Sequence, residues 1–217
     1  MTAALVLLLA VGGPEAATRQ ASADADAVAS RLQAHYETIR DFSAEFVHTY
    51  EGGVLRRQVS ERGVVLVKKP GMMRWTYQEP EEKLFVSDGE HMYSYVPADE
   101  QVMVTRLPDD DVASTPILFL VGRGNLVRDF EAAIDRDVQI DQGEVALRLT
   151  PRAPSAEYDS LTLVVDRETM ALRQLITRDA QGGRSTFVFT NLDENVGAAD
   201  SEFTFTPPRG TDVITES

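Results

Sequence analysis

The sequence predicts a mainly β protein: a single antiparallel curled sheet of about eleven strands, forming an unclosed half-barrel with an N-terminal helix and a helical lid. Three observations carry this reading. After Asp41 the apolar residues recur with a period of two for most of the chain. The runs are separated by turn signals too short to hold crossover helices, so neighbouring strands must be antiparallel. Ten or eleven strands exceed what a flat open sheet usually holds, which favours a curled sheet or partial barrel.

The elements follow in order. From Asp24, Val28, Leu32, Tyr36 and Ile39 are spaced at i, i+4, i+8 and i+11, which predicts an amphipathic helix with Ser22 or Asp24 as its cap. Strand alternation then begins with Phe42, Ala44 and Phe46. It continues through Val65 and Val67, and through Met73, Trp75 and Tyr77. Further strands are expected over 84–86, 91–96, 101–107, 145–149, 161–165, 172–178 and 187–189. Between them stand Gly52-Gly53, Pro70-Gly71, Asp88-Gly89, Gln142-Gly143 and Gly182-Gly183.

The middle of the chain departs from the pattern. Thr115 at an N-cap, Pro116 at a first helical position and Gly122 as a stop bracket the unbroken apolar run Ile117, Leu118, Phe119, Leu120 and Val121. A short helix with no polar face must be buried on nearly all sides, which is how a lid over a concave sheet behaves. Leu126, Phe130 and Ile134 predict a second short helix over 125–134.

The chain has 217 residues and no Pro-Gly-Ser-rich linker, so one domain is expected over 24–217. Residues 3–11 form an apolar run too short to span a bilayer and suited to a signal peptide; residues 1–23 are read as that leader, with cleavage between 16 and 23. The 21 Lys and Arg against 35 Asp and Glu give a formal net charge of −14, the wrong sign for gripping phosphates, so nucleic acid is not an expected partner. Absence of cysteine removes disulfides, thiolate metal sites, a Cys nucleophile and a Cys-borne lipid anchor.

Catalytic groupings are sparse. His35, His48 and His91 lie on a helix and two strands without metal-ligand spacing, and no nucleophile elbow or phosphate loop is present. No enzyme activity, metal or cofactor is expected. The sequence is instead rich in apolar side chains for one face of the sheet. Val65, Val67, Met73, Trp75 and Tyr77, joined by Tyr93 and Tyr95 or by Phe187 and Phe189, would line a greasy hollow or fill an ordinary core. Met72, Met73, Met92 and Met103 would supply adaptable contact area.

The run Val67-Lys68-Lys69-Pro70-Gly71-Met72-Met73-Arg74-Trp75, then Val86-Ser87-Asp88-Gly89, Tyr95-Val96-Pro97, Thr115-Pro116 and the terminal Phe203-Thr204-Phe205-Thr206-Pro207-Pro208-Arg209-Gly210 resemble the outer-membrane lipoprotein carrier protein (LolA) family. The resemblance implies a periplasmic chaperone, an unclosed barrel with a helical lid. Such carriers take the acyl chains of lipoproteins from an inner-membrane ABC transporter and deliver them to an outer-membrane receptor. Lys69 matches the family's arginine that holds the lid through backbone carbonyls, and Met73 matches a family phenylalanine that bears on partner engagement. A monomer is expected.

Two other classes compete. A periplasmic lipid-binding sensor or receptor could share the half-barrel, but a receptor would need a lipidated cysteine and a sensor usually carries a second domain. An envelope hydrolase would need a nucleophile or metal site.

Overall fold

The computed structural model describes residues 14–52, 58–107, 120–122, 124–153, 158–179 and 181–216. Twelve strands form one sheet in the order β12-β6-β5-β4-β3-β2-β1-β11-β10-β9-β8-β7. They are β1 (Asp41–Glu51), β2 (Gln58–Lys68), β3 (Met72–Glu79), β4 (Lys83–Asp88), β5 (His91–Val96), β6 (Gln101–Arg106), β7 (Phe130–Ile134), β8 (Glu144–Pro151), β9 (Ser160–Asp166), β10 (Leu172–Arg178), β11 (Arg184–Glu194) and β12 (Asp212–Glu216). The edge strands β12 and β7 do not pair with each other, so the sheet is open. Both meanders are built of hairpins, and β1 joins them by pairing with β2 on one side and β11 on the other.

The expected architecture stands, with two local corrections. The first concerns 125–134, read as a helix. A single turn, Leu126–Asp129, forms where Asn125 Oδ1 accepts hydrogen bonds from the backbone N–H groups of Val127 (3.0 Å) and Arg128 (2.9 Å). Phe130 is then extended and opens β7, whose residues pair with β8 from Phe130 opposite Pro151 to Ile134 opposite Leu147. A spacing of four satisfies a strand as well as a helix, because Phe130, Ala132 and Ile134 share one face at period two. The second correction is β12, a twelfth strand that runs parallel to β6 and so departs from the antiparallel rule.

Helix α1 (Pro14–Thr38) starts about ten residues earlier than the apolar spacing indicates. Proline suits a first helical turn, and the alanine-rich stretch behind it has high helix propensity. The buried stripe is Ala25, Ala29, Leu32 and Tyr36, with Val28 at its margin and Ile39 just past the helix end. The small alanines let α1 approach closely, and it packs against β7 and β8. Arg31 Nη2 donates to the Arg167 carbonyl (2.9 Å), and the Leu126 N–H donates to Gln33 Oε1 (2.9 Å), which ties the helix to the β9–β10 turn and to the one-turn helix.

The main core lies between α1 and the concave face of the sheet. On the convex side the 3₁₀ turn Asp200–Phe203 packs over β3 and β4, and Arg74 Nη1 donates to the Glu202 carbonyl (3.2 Å).

Candidate functional site

The registers place most of the predicted lining on one face. Opposite each other in antiparallel pairs stand Val67 and Met73, Val65 and Trp75, and Gly63 and Tyr77, while Phe42, Ala44 and Phe46 face Val67, Val65 and Gly63. Across β1, Phe46 faces Phe189 and His48 faces Phe187. Directly opposed residues share a face, so Val65, Val67, Met73, Trp75, Tyr77, Phe187 and Phe189 all line the concavity, and all are buried. Their rings form one aromatic cluster. Phe46 lies 5.0 Å from Trp75 and 4.8 Å from Tyr77 between centroids, and Phe187 lies 5.2 Å from Trp75.

Tyr93 and Tyr95 do not join them. The pairings Trp75 with Phe85 and Phe85 with Ser94 put Ser94 on the concave face. Tyr93 and Tyr95 therefore point to the convex side, where each ring sits 5.7 Å from Phe205.

The described side chains of the concave face are buried in this state. The void between α1 and the sheet measures about 20 Å³, close to one water's worth of space, and is lined by residues that include Leu32, Tyr36, Phe42, Leu120, Leu163 and Leu172. None of the nine predicted cavity residues borders it. The helical stripe of Leu32 and Tyr36 was the sequence signal for this inner wall.

Of the predicted lid, Thr115, Pro116, Ile117, Leu118 and Phe119 lie outside the described residues. Leu120 and Val121 are described, and both are 0% exposed. Polar contacts fasten this end. The Tyr36 hydroxyl donates to the Leu120 carbonyl, and the Gly71 N–H donates to the Val121 carbonyl at 3.0 Å. Gly122 follows with φ of +83°, and a Cβ there would come within 2.9 Å of Lys69 Cδ, so the lysine stem lies flat against this glycine.

Lys69 therefore lies beside residues 120–122, but its ammonium goes elsewhere than expected. It donates to the Tyr36 carbonyl in the last turn of α1 and sits 3.3 Å from the centroid of the Tyr36 ring. The carbonyls of Leu120 and Val121 already have donors, whereas the C-terminal turn of α1 offers carbonyls and the negative end of a helix dipole. Burial lowers the Lys69 pKa to about 8, with Glu37 and Glu194 pulling the other way. Burial likewise raises the Tyr36 hydroxyl, reinforced by Glu194.

At the Tyr77 end the apolar face terminates in a polar row that sequence reading missed. His48 Nε2 lies 2.6 Å from Ser185 Oγ, His48 Nδ1 lies 3.3 Å from Tyr77 Oη and 3.5 Å from Glu61 Oε2, and Lys83 Nζ donates to Glu61 Oε1 at 2.5 Å. The His48 ring stacks on Phe187 at 4.1 Å. Burial lowers the His48 pKa against the pull of Glu61. Tyr77 is raised by burial, then by Glu61. Among the described residues no group of three or more His, Asp or Glu side chains comes together as a metal site.

Residues 37–206 match the family described as "Outer membrane lipoprotein carrier protein LolA". The chain belongs to this family. A lipoprotein carrier from Chromohalobacter salexigens is 34% identical over 189 residues, covering 87% of this chain and 87% of its own. One from Hahella chejuensis is 28% identical over 215 residues, covering 98% and 99%. Among solved structures, an uncharacterized conserved protein from Thermus thermophilus superposes with a TM-score of 0.55 at 9% identity, over 89% of this chain and 99% of that one, a likeness of fold alone. Within the lipoprotein carrier family this chain combines an open twelve-strand sheet with a buried, aromatic-rich concave face and polar bonds that fasten residues 120–122. No helix among the described residues is long and apolar enough to cross a membrane.

Proposed function

We propose that this chain is a periplasmic carrier that binds the acyl chains of lipoproteins released at the inner membrane and hands them to an outer-membrane receptor. One observation carries the reading: an aromatic-rich concave face, buried throughout its described side chains, lies beneath α1, and Leu120 and Val121 beside it are fastened through hydrogen bonds to Tyr36 and Gly71. Such a face can exchange its cover for hydrocarbon. Each buried methylene contributes about 0.8 kcal/mol, so several acyl chains cannot cross water unaided at a useful rate. The segment over 115–121 would act as the lid and Lys69 as part of its latch. The concave residues Val65, Val67, Met73, Trp75, Tyr77, Phe187 and Phe189 would receive the chains once the lid moves.

An inner-membrane ABC transporter would load the carrier, which would work as a monomer. Residues 1–23 would be removed on export. Cleavage between 16 and 23 would leave every described buried side chain in the mature chain, the first being Ala25.

The decisive experiment incubates the purified mature chain with membranes bearing labelled lipoprotein, the transporter and ATP. A one-to-one soluble complex is the expected product. Label that remains with the membranes, or that leaves them without the carrier, would refute the reading.

A further inference from the structure

Among the described residues, the concave face holds one buried donor with nothing to bond. Trp75 Nε1 has no hydrogen-bond partner, although the residue is only 2% exposed. Its nearest ring neighbours are Phe46 at 5.0 Å, Phe187 at 5.2 Å and Phe189 at 6.3 Å, all pure hydrocarbon. Buried indole N–H groups usually find an acceptor, and an exception calls for a reason. If the face received bare hydrocarbon alone, phenylalanine would serve at this position and leave no orphan.

The surroundings say which acceptor fits. Along β3 the face runs from Met73 through Trp75 to Tyr77, and beyond Tyr77 Oη lies the polar row of His48, Glu61, Lys83 and Ser185. Trp75 therefore stands where an apolar surface gives way to a polar rim. An amphiphile lying along this gradient, tail toward Met73 and head toward Lys83, has at that depth the atoms that join tail to head. In an ester- or amide-linked acyl chain those atoms include a carbonyl oxygen, an acceptor that can reach into an otherwise apolar site.

We propose that Trp75 Nε1–H donates to the carbonyl of an ester- or amide-linked acyl chain, so that the site selects acyl lipids over ether-linked hydrocarbon of equal length. This rests on the carrier reading and adds the chemical class of the group it grips. The closed state leaves the donor unmet and the cargo supplies what it lacks, which favours ligand-bound over empty carrier.

Trp75 is the only tryptophan in the chain, so its indole N–H gives a single resonance in a ¹⁵N-labelled sample. The probes are dioctanoylglycerol and its diether counterpart, which differ only in the two carbonyls. Both are expected to bind. The ester should move the indole proton downfield and bind about 5- to 10-fold tighter, as one net hydrogen bond allows, whereas the ether should leave the proton near its free position. Trp75→Phe should bring the two affinities together. Equal affinities and equal indole shifts in the natural chain overturn the inference and leave the carrier reading standing; so does a preference that survives in Trp75→Phe. Failure of both lipids to bind overturns the carrier reading and this inference with it. The resonance measurement uses the unmutated chain and does not depend on the variant folding.

Discussion

Tyr36→Phe isolates one fastening of the proposed lid. The hydroxyl donates to the Leu120 carbonyl, a group on a residue with no exposure, and the substitution removes only that oxygen. The ring remains, so the Lys69 ammonium keeps its place over its face. In the closed form the Leu120 carbonyl is then left buried without this donor, a loss of about 1–3 kcal/mol. In the open form water meets the carbonyl and the loss is near zero. The closed-to-open ratio should therefore fall by about 5- to 150-fold, the same free energy taken at 1.4 kcal/mol per decade.

If only the open form takes ligand, the apparent dissociation constant is the intrinsic one divided by the open fraction. Tyr36→Phe should then bind an acyl probe more tightly by up to that same factor, with the gain ending once most of the empty carrier is open. Titration with a fluorescent fatty-acyl probe, followed also through Trp75 emission, reads the effect directly. Thermal melting in parallel reports the cost to the fold. An unchanged apparent affinity beside a lowered melting temperature would refute the argument, because it would mean that the bond holds the fold together without discriminating closed from open.

The remaining predictions concern neighbouring groups. Lys69→Leu loses the bond to the Tyr36 carbonyl and the ring contact and adds apolar surface, so it should accept lipoprotein yet transfer it poorly to receptor liposomes, while Lys69→Arg transfers normally. Because the Lys69 pKa is lowered to about 8, raising the assay from pH 7 to pH 9 should weaken the latch of the natural chain and leave that of Lys69→Arg unchanged. Gly63→Ala would set a Cβ 2.1 Å from the Thr76 carbonyl oxygen and 2.9 Å from Tyr77 Cα, backbone atoms that cannot step aside, and should cost about 1–3 kcal/mol or more in a denaturant melt. His48 has a folded pKa below its ordinary 6.5, so the unfolded chain takes up its proton first as pH falls. The stability it contributes is complete above about 6.5 and is lost as pH falls toward the folded value, and the stability difference between the natural chain and His48→Gln should change over that window.

Period-two spacing found most of the strands, though not β7 or β12, and put Val65, Val67, Met73, Trp75 and Tyr77 on one face: Met73 to Tyr77 alternates apolar with polar, while in β2, apolar throughout 64–67, only Lys68 supplies the parity. It failed at Tyr93 and Tyr95 for a physical reason. Leu84, Phe85 and Val86 are apolar without interruption, so β4 shows no parity that could carry the concave face across to β5. The convex side there is apolar too, since Phe203 and Phe205 return from the far end of the chain to cover it. Leu126, Phe130 and Ile134 misled in another way, as a four-residue spacing fits helix and strand alike. The polar row needed strand order: His48, Glu61, Lys83 and Ser185 come from four strands, and nothing local links them. Lys69 was legible as a cation at the end of β2, but its choice of the Tyr36 carbonyl depends on where α1 ends relative to the sheet.

The distribution of polar and apolar contacts around residues 120–122 bears on how such a carrier lets go. Were a lid over 115–121 to pack on the aromatic face, an acyl chain displacing it would trade one apolar contact for another, and hydrocarbon for hydrocarbon gives little net driving force either way. The bonds from Tyr36 Oη and from the Gly71 N–H to the Leu120 and Val121 carbonyls are different, because an acyl chain that pushes the segment aside has no donor with which to replace them. Their loss would be borne by the loaded state. A lid held by apolar packing alone would load well and release badly, whereas one fastened through backbone carbonyls recovers those bonds when the cargo leaves. A polar fastening of this kind would lower affinity by a set amount and return it at release, which is what transfer to a receptor without an added energy source would require.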